Sequence, residues 1–189
     1  DNCDGSADEG TGGSPLDIVF AVDYSGSMTG VILSLQQATS TWATKYAQRQ
    51  DIRIALVGIP DPNINHDRLV SVMMNFGTPG QFATELARWT SASGGGQEPS
   101  LDAIYMVSLS SNPLSLAWRA GANRALVVYT DEMPQSYGTT GEQQAWDAAV
   151  PSGLRVFLFS SDSSWFRWSP RPLGLPDALL GAELDKVIE

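Results

Sequence analysis

The chain has 189 residues, of which 42% are hydrophobic and 17% charged, and its formal net charge is -10. This is the composition of a globular domain with enough apolar material for a sizeable core. The acid excess argues against nucleic acid and against an anionic membrane surface as partners, since both require a basic patch. No apolar stretch approaches the ~20 residues of a membrane span, so direct membrane insertion is not expected.

Residues 1–15 read as a segment apart from the domain at 16–189. Asp1, Asp4, Asp8 and Glu9 surround Cys3, the sole cysteine, so no disulfide can form within this chain. Residues 10–15, Gly-Thr-Gly-Gly-Ser-Pro, have linker composition. With no initiator methionine and no signal sequence, the chain is expected to be a domain of a larger protein.

The first predicted strand, 17–22, is apolar from Ile18 to Val22 and stops abruptly at Asp23-Tyr-Ser25-Gly-Ser27-Met28. A helical pattern follows over 28–48, with Val31, Ile32, Leu35, Ala38, Trp42 and Tyr46 on one stripe. A buried strand thus delivers one carboxylate and two hydroxyls to a tight turn. Oxygen-only donors converging on one point suit a hard divalent cation. Alone, the pattern also fits a strand-end aspartate followed by serines acting as helix caps.

Strands are next predicted at 53–59 and 69–75. The second partly alternates through Val70, Val72 and Met74, and a short connection, 60–67, separates the two. A hairpin to an antiparallel edge strand follows from that pattern. His66, the only histidine, reads as a solvated residue of the hairpin, with Asp61 and Asp67 as an alternative secondary Ca²⁺ site. A helix is expected at 79–89. A glycine loop, Gly94-Gly-Gly, then leads into Glu98-Pro99-Ser100-Leu101-Asp102-Ala103-Ile104 and a helix over 99–109. Trp118-Arg119 reads as structural. The strand 124–130 ends in Thr130-Asp131-Glu132, and Thr139 and Glu142 read as a capping box for a helix at 140–149.

The last strand, 154–160, runs into Ser160-Ser-Asp-Ser-Ser-Trp165-Phe166-Arg167-Trp168. These aromatics have the composition of an interface centre, or else pack on the final helix. That helix, 176–188, opens at Pro176-Asp177 and carries Leu180, Leu184, Val187 and Ile188 on its core face. The alternation of strands, mostly apolar on both faces, with helices predicts an α/β fold. It is a doubly wound, Rossmann-like, mostly parallel sheet with one antiparallel edge strand and helices on both faces. In such sheets the ligand crevice lies beyond the carboxyl ends of the strands. Asp23 and Asp131 both stand at such ends.

Taken together, Asp23-x-Ser25-x-Ser27, the Glu98-Pro-Ser-Leu-Asp-Ala-Ile helix start and Thr130-Asp131 resemble the metal-ion-dependent adhesion site of von Willebrand factor type A domains. The resemblance covers about residues 16–188. The middle motif departs from members that carry a threonine there and looks like the glutamate version of integrin beta subunits and some bacterial members. It implies that Ser25 and Ser27 coordinate the ion directly, while Asp23 and Asp131 act largely through waters and accept hydrogen bonds from the hydroxyls. Glu98 would fill the remaining position, the alternative being a hydroxyl from Thr90, Ser91, Ser93 or Ser100. The implied ion is Mg²⁺ or Ca²⁺, with Mn²⁺ as a third candidate. The implied partner is a protein or glycan with an exposed carboxylate, bound in adhesion or protein–protein recognition at a bacterial cell surface or outside the cell. Movement of the helix 176–188 would be coupled to the site. Residues 1–10 resemble the last unit of an Asp/Cys-rich metal-binding repeat of secreted bacterial proteins, in which the partner of Cys3 would lie upstream.

Enzymatic alternatives find little in the sequence. A haloacid-dehalogenase-type phosphatase needs Asp-x-Asp at the first strand, and Tyr24-Ser25 supplies no second aspartate. Ser25 lacks the first glycine of a nucleophile elbow, and no Walker loop is present. The chain is therefore expected not to be an enzyme. A scaffold merely stabilised by its ion remains the competing expectation.

Overall fold

A computed structural model describes residues 14–59, 70–89, 97–173, 175 and 177–188, with Asp177 and Ala178 described in backbone only. The elements run β1 (Leu16–Asp23), a single 3₁₀ turn (Gly26–Met28), α1 (Thr29–Lys45), β2 (Ile52–Ile59), β3 (Ser71–Gly77), α2 (Pro79–Leu86), α3 (Ser100–Ser108), β4 (Asn123–Tyr129), α4 (Glu142–Ala149), β5 (Leu154–Phe159) and α5 (Asp177–Ile188). The sheet order is β3-β2-β1-β4-β5. β1 pairs in parallel with β2 and β4, β4 pairs in parallel with β5, and β3 runs antiparallel on the outside of β2. The chain is thus a mixed α/β protein with a Rossmann-like sheet.

β1 is central because every residue along it is buried. Its alternate side chains feed two separate cores. Ile18, Phe20 and Val22 pack with α1, α2 and α5, whereas Val19 and Ala21 pack with α3 and α4. Fully burying side chains of this size contributes about 1.5–3 kcal/mol each, which outweighs the modest helix propensities around them. Phe20 is held between Phe82, with ring centroids 4.5 Å apart, and Trp42 at 6.3 Å.

The two edges of the sheet differ. At β5, residues 160–171 loop out and return so that Arg171 N–H donates to Leu158 O at 2.8 Å and Ser160 N–H donates to Arg171 O at 2.9 Å. Arg171 stacks over Phe157 and Phe159 and pairs with Glu183 of α5 at 2.8 Å. At the other edge, the pairing of β2 with β3 is broken by register shifts between Ile54 and Leu56 and between Leu56 and Val57. β3 lies two residues later than the sequence pattern placed it, and the hairpin connection 60–67, with Asp61, His66 and Asp67, falls outside the described residues.

Two local expectations need correction. Thr139 does not cap α4: its N-cap is Gly141, with no side-chain capping bond. The Glu142 carboxylate instead accepts the Phe166 N–H at 2.9 Å and the Arg167 N–H at 2.6 Å. The chain's own tertiary amides outcompeted the local box. A true capping box occurs at α2, where Thr78 Oγ1 accepts from Gln81 N–H at 3.2 Å and Gln81 Oε1 accepts from Thr78 N–H at 2.8 Å. Thr78→Ala is expected to cost about 1 kcal/mol, read as a lower denaturant midpoint with unchanged slope.

The aromatics after β5 do not pack on α5. Trp165 and Trp168 are buried on the α3/α4 side, with Trp168 5.3 Å from Trp146 of α4. The chain leaving β5 places Trp165 and Trp168 on that face, and its return at Arg171 meets α5 through Glu183. Phe166 between them stays 87% exposed.

A buried ion-pair cluster went unread in the sequence. Asp17, at the start of β1, is fully buried and accepts Arg53 Nε and Nη2 at 3.1 and 2.9 Å, Arg119 Nε at 2.9 Å and the Arg119 N–H at 2.7 Å. Arg119 also donates to Leu16 O and Asp51 O. This ties β1, β2 and the segment before β4 together at the amino end of the sheet.

Candidate metal centre

At the opposite end of β1 the chain must turn sharply into α1, and packing fixes how. The Tyr24 ring lies against Gly58 of β2, where a Cβ would sit 2.8 Å from it, and meets Trp89 edge-on at 5.5 Å. Met28 is fully buried, and its N–H donates to Ser25 O at 3.2 Å, closing the turn. Asp23, Ser25 and Ser27 are thereby held together where β1 stops.

Asp23 is fully buried. Its Oδ1 accepts the Ser25 N–H at 2.8 Å and its Oδ2 accepts the Thr130 hydroxyl at 3.0 Å. Thr130 Oγ1 in turn accepts the Glu132 N–H at 3.1 Å. Ser25 Oγ and Ser27 Oγ are 2.9 Å apart, and Ser27 Oγ donates to Asp131 Oδ1 at 3.2 Å. One hydrogen-bonded chain therefore runs from the end of β1 to the end of β4 and back. It lies between β1 and β4, where the strand order reverses direction, the position at which open α/β sheets form their crevice. Burial grades across it: Asp23 and Ser25 are enclosed, Asp131 is half-buried and Ser27 is exposed.

The electrostatics are those of a site short of positive charge. Burial pushes the Asp23 carboxyl up to about 6, and the nearby Asp131 carboxylate adds to this, against the bonds from Ser25 and Thr130. Burial also raises Glu132, reinforced by Asp131 and Asp162 and opposed by Gln135. Among the described residues, no group of three or more His, Cys, Asp or Glu side chains is arranged to hold a metal ion. An ion here would have to draw on hydroxyls as well as carboxylates. The donors present fit that need, being oxygen throughout, as Mg²⁺ and Ca²⁺ require.

Glu98 lies on a neighbouring loop. It is 1% exposed and directly precedes Pro99, the N-cap of α3. The first turn of α3 is fastened to the loop that follows Asp131: Leu101 N–H donates to Gln135 O at 2.9 Å, while Asp102 accepts the Ser136 hydroxyl and, at 2.8 Å, the Tyr137 N–H. Of the hydroxyl alternatives to Glu98, Ser100 is fully buried, while Thr90, Ser91 and Ser93 lie outside the described residues. Cys3 and the acidic residues around it also lie outside them. Thr130, read in the sequence only as part of a strand-end motif, proves to be the group that joins β4 to Asp23. Its adjacency to Asp131 was the available signal.

No protein-family model matches the chain, and no curated protein sequence does. Among solved structures, the pilus adhesin SpaC from Lactobacillus rhamnosus GG in its open conformation is similar over 65% of this chain, with 19% identity and a TM-score of 0.49. A second structure of that adhesin is similar over 65% with 18% identity and a TM-score of 0.49. The chain spans 15% and 16% of the length of those adhesin chains.

Proposed function

We propose that this domain is a divalent-cation-dependent recognition module, non-enzymatic, that captures an acidic group of a protein or glycan ligand at or beyond a cell surface. The observation that carries this reading is the hydrogen-bonded set Asp23–Ser25–Ser27–Asp131–Thr130 at the switch point of the sheet. Ser25 and Ser27 would contact the ion, with Asp23, Asp131 and Glu98 around it. A bound Mg²⁺, Ca²⁺ or Mn²⁺ supplies a positive centre that an acidic ligand oxygen can approach. Neutral hydroxyl donors leave that positive charge poorly cancelled, which favours recruitment of an anion. Asp23 and Thr130 hold the hydroxyl loop in place, and the exposed position of Ser27 leaves the site open to solvent. No described helix is long and apolar enough to cross a membrane.

The test has two stages. Calorimetric titration of chelator-stripped protein with Mn²⁺ is expected to give a saturable signal that Ser27→Ala and Asp131→Ala each reduce at least tenfold in affinity. Water-proton relaxation of the Mn²⁺-loaded protein should then fall as acetate or a glutamyl peptide is added, because the carboxylate displaces an ion-bound water. Ion binding with relaxation indifferent to carboxylate would leave only a metal-stabilised scaffold. An absence of ion binding to folded protein would remove the proposal altogether.

A further inference from the structure

The Ser100 hydroxyl is buried and unpartnered: the residue is 0% exposed, and its Oγ has no hydrogen-bond partner among the described residues. Buried polar groups without partners are rare and costly, so each calls for an explanation. Helix capping does not provide one. Ser100 is the first residue of α3, Pro99 occupies the N-cap position, and no side-chain capping bond is made there. Alanine would serve the helix better at a site that only needed filling.

Local geometry shows why this hydroxyl stands where it does. Pro99 has φ -77 and ψ 63, and Ser100 N–H donates to Glu98 O at 2.7 Å, which is an inverse γ-turn. Both residues flanking the proline are enclosed, Glu98 at 1% and Ser100 at 0% exposure. The same first turn of α3 is fastened through Leu101 to Gln135, four residues beyond Asp131. The loop carrying Glu98 and the loop carrying Asp131 are therefore one assembly.

We propose that Ser100 is a further residue of the cation site, its hydroxyl holding a water of the ion's shell, so that Glu98 and Ser100 act together rather than as alternatives. This rests on the divalent-ion reading above. The experiment is Mn²⁺ calorimetry and thermal unfolding in EDTA on wild type, Ser100→Ala and Ser100→Cys. Loss of an outer contact of this kind typically weakens metal affinity about 10-fold or more. Ser100→Ala is expected to raise the Mn²⁺ dissociation constant about tenfold while leaving the melting temperature in EDTA unchanged or higher. Ser100→Cys, close in volume but a weak hydrogen-bonder, should track the alanine variant. Wild-type affinity in Ser100→Ala would overturn the inference alone. So would a lowered melting temperature in EDTA with affinity restored by cysteine, which would mark a packing role. A wild type that binds no Mn²⁺ would instead overturn the ion reading beneath it.

Discussion

Replacing Asp17 by alanine is expected to destabilise the protein by about 3–5 kcal/mol, the cost of breaking a buried ion pair by removing one partner. Two guanidinium groups, 27% and 26% exposed, would lose their shared carboxylate, and the Arg119 amide would lose its acceptor. Partial exposure lets the arginines recover some hydration, which places the expectation toward the lower end of that range. Against a total stability of about 5–15 kcal/mol, such a loss is large. The measurement is a urea or guanidinium unfolding curve, in which the midpoint should drop while the slope holds. The pH dependence has a definite sign. Burial acts to raise the Asp17 pKa, but the bonds from Arg53 and Arg119 overcome it and hold the carboxyl below its ordinary value. Its stabilising contribution is therefore complete above the unfolded-state value of about 3.9 and disappears as pH falls through the lowered native value. Asp17→Asn should accordingly flatten the acid limb of the stability profile below about pH 4. A variant as stable as wild type at pH 7 would show that the cluster contributes nothing net.

Asp23→Asn is expected to do the opposite in the absence of metal. The Asp23 carboxyl sits at about 6 in the native protein, chiefly through burial. The native state thus binds more protons than the unfolded state between the unfolded value and about 6, so stability in EDTA should fall as pH rises across that window. The full effect is on the order of 3 kcal/mol, about two pKa units at about 1.4 kcal/mol each. An asparagine can still accept the Ser25 N–H, and its amide can donate to Thr130 Oγ1. At pH 7.5 in EDTA the variant should be at least as stable as wild type. With Mg²⁺ at a hundredfold excess over its dissociation constant, wild type should gain about 2.7 kcal/mol, and the variant should gain nothing. A variant less stable than wild type in EDTA, yet equally stabilised by Mg²⁺, would contradict the role proposed for Asp23 at a cation.

These two aspartates bracket the same strand, and only one was legible in the sequence. Asp23 stood out because an apolar run ended on it with two serines beyond, and its partner Asp131 because β4 ends the same way. Asp17 opens the run, where an acidic residue looks like an ordinary strand boundary. Its meaning depends on Arg53 and Arg119, which only the parallel pairing of β1 with β2 and the approach of the segment before β4 bring to it. The sheet was readable for the reason β1 was: parallel strands buried on both faces are apolar almost without interruption, and the helical stripes between them have a different period. Residues whose partners are remote were not. Thr139 and Glu142 have the spacing of a capping box, yet Glu142 is taken by amides 24 and 25 residues away. Trp165 and Trp168 were open between an interface centre and the final helix, and the α3/α4 layer that buries them was in neither reading. The spacing singled out Asp23, Ser25, Ser27 and Asp131, which the structure joins in one hydrogen-bonded set, whereas the service of Thr130 to Asp23 appeared only with the register of β4 beside β1.

The finish of the two sheet borders bears on behaviour in crowded conditions. A bridge from Arg171 covers the carboxyl end of β5, and the pairing of β3 with β2 is interrupted at two irregularities. Neighbouring copies meeting side to side would find one flank occupied and the other unsuited to a long continuous ladder, which is how natural sheets resist fibril-like stacking. Side-to-side association through the sheet is therefore disfavoured even at high local concentration.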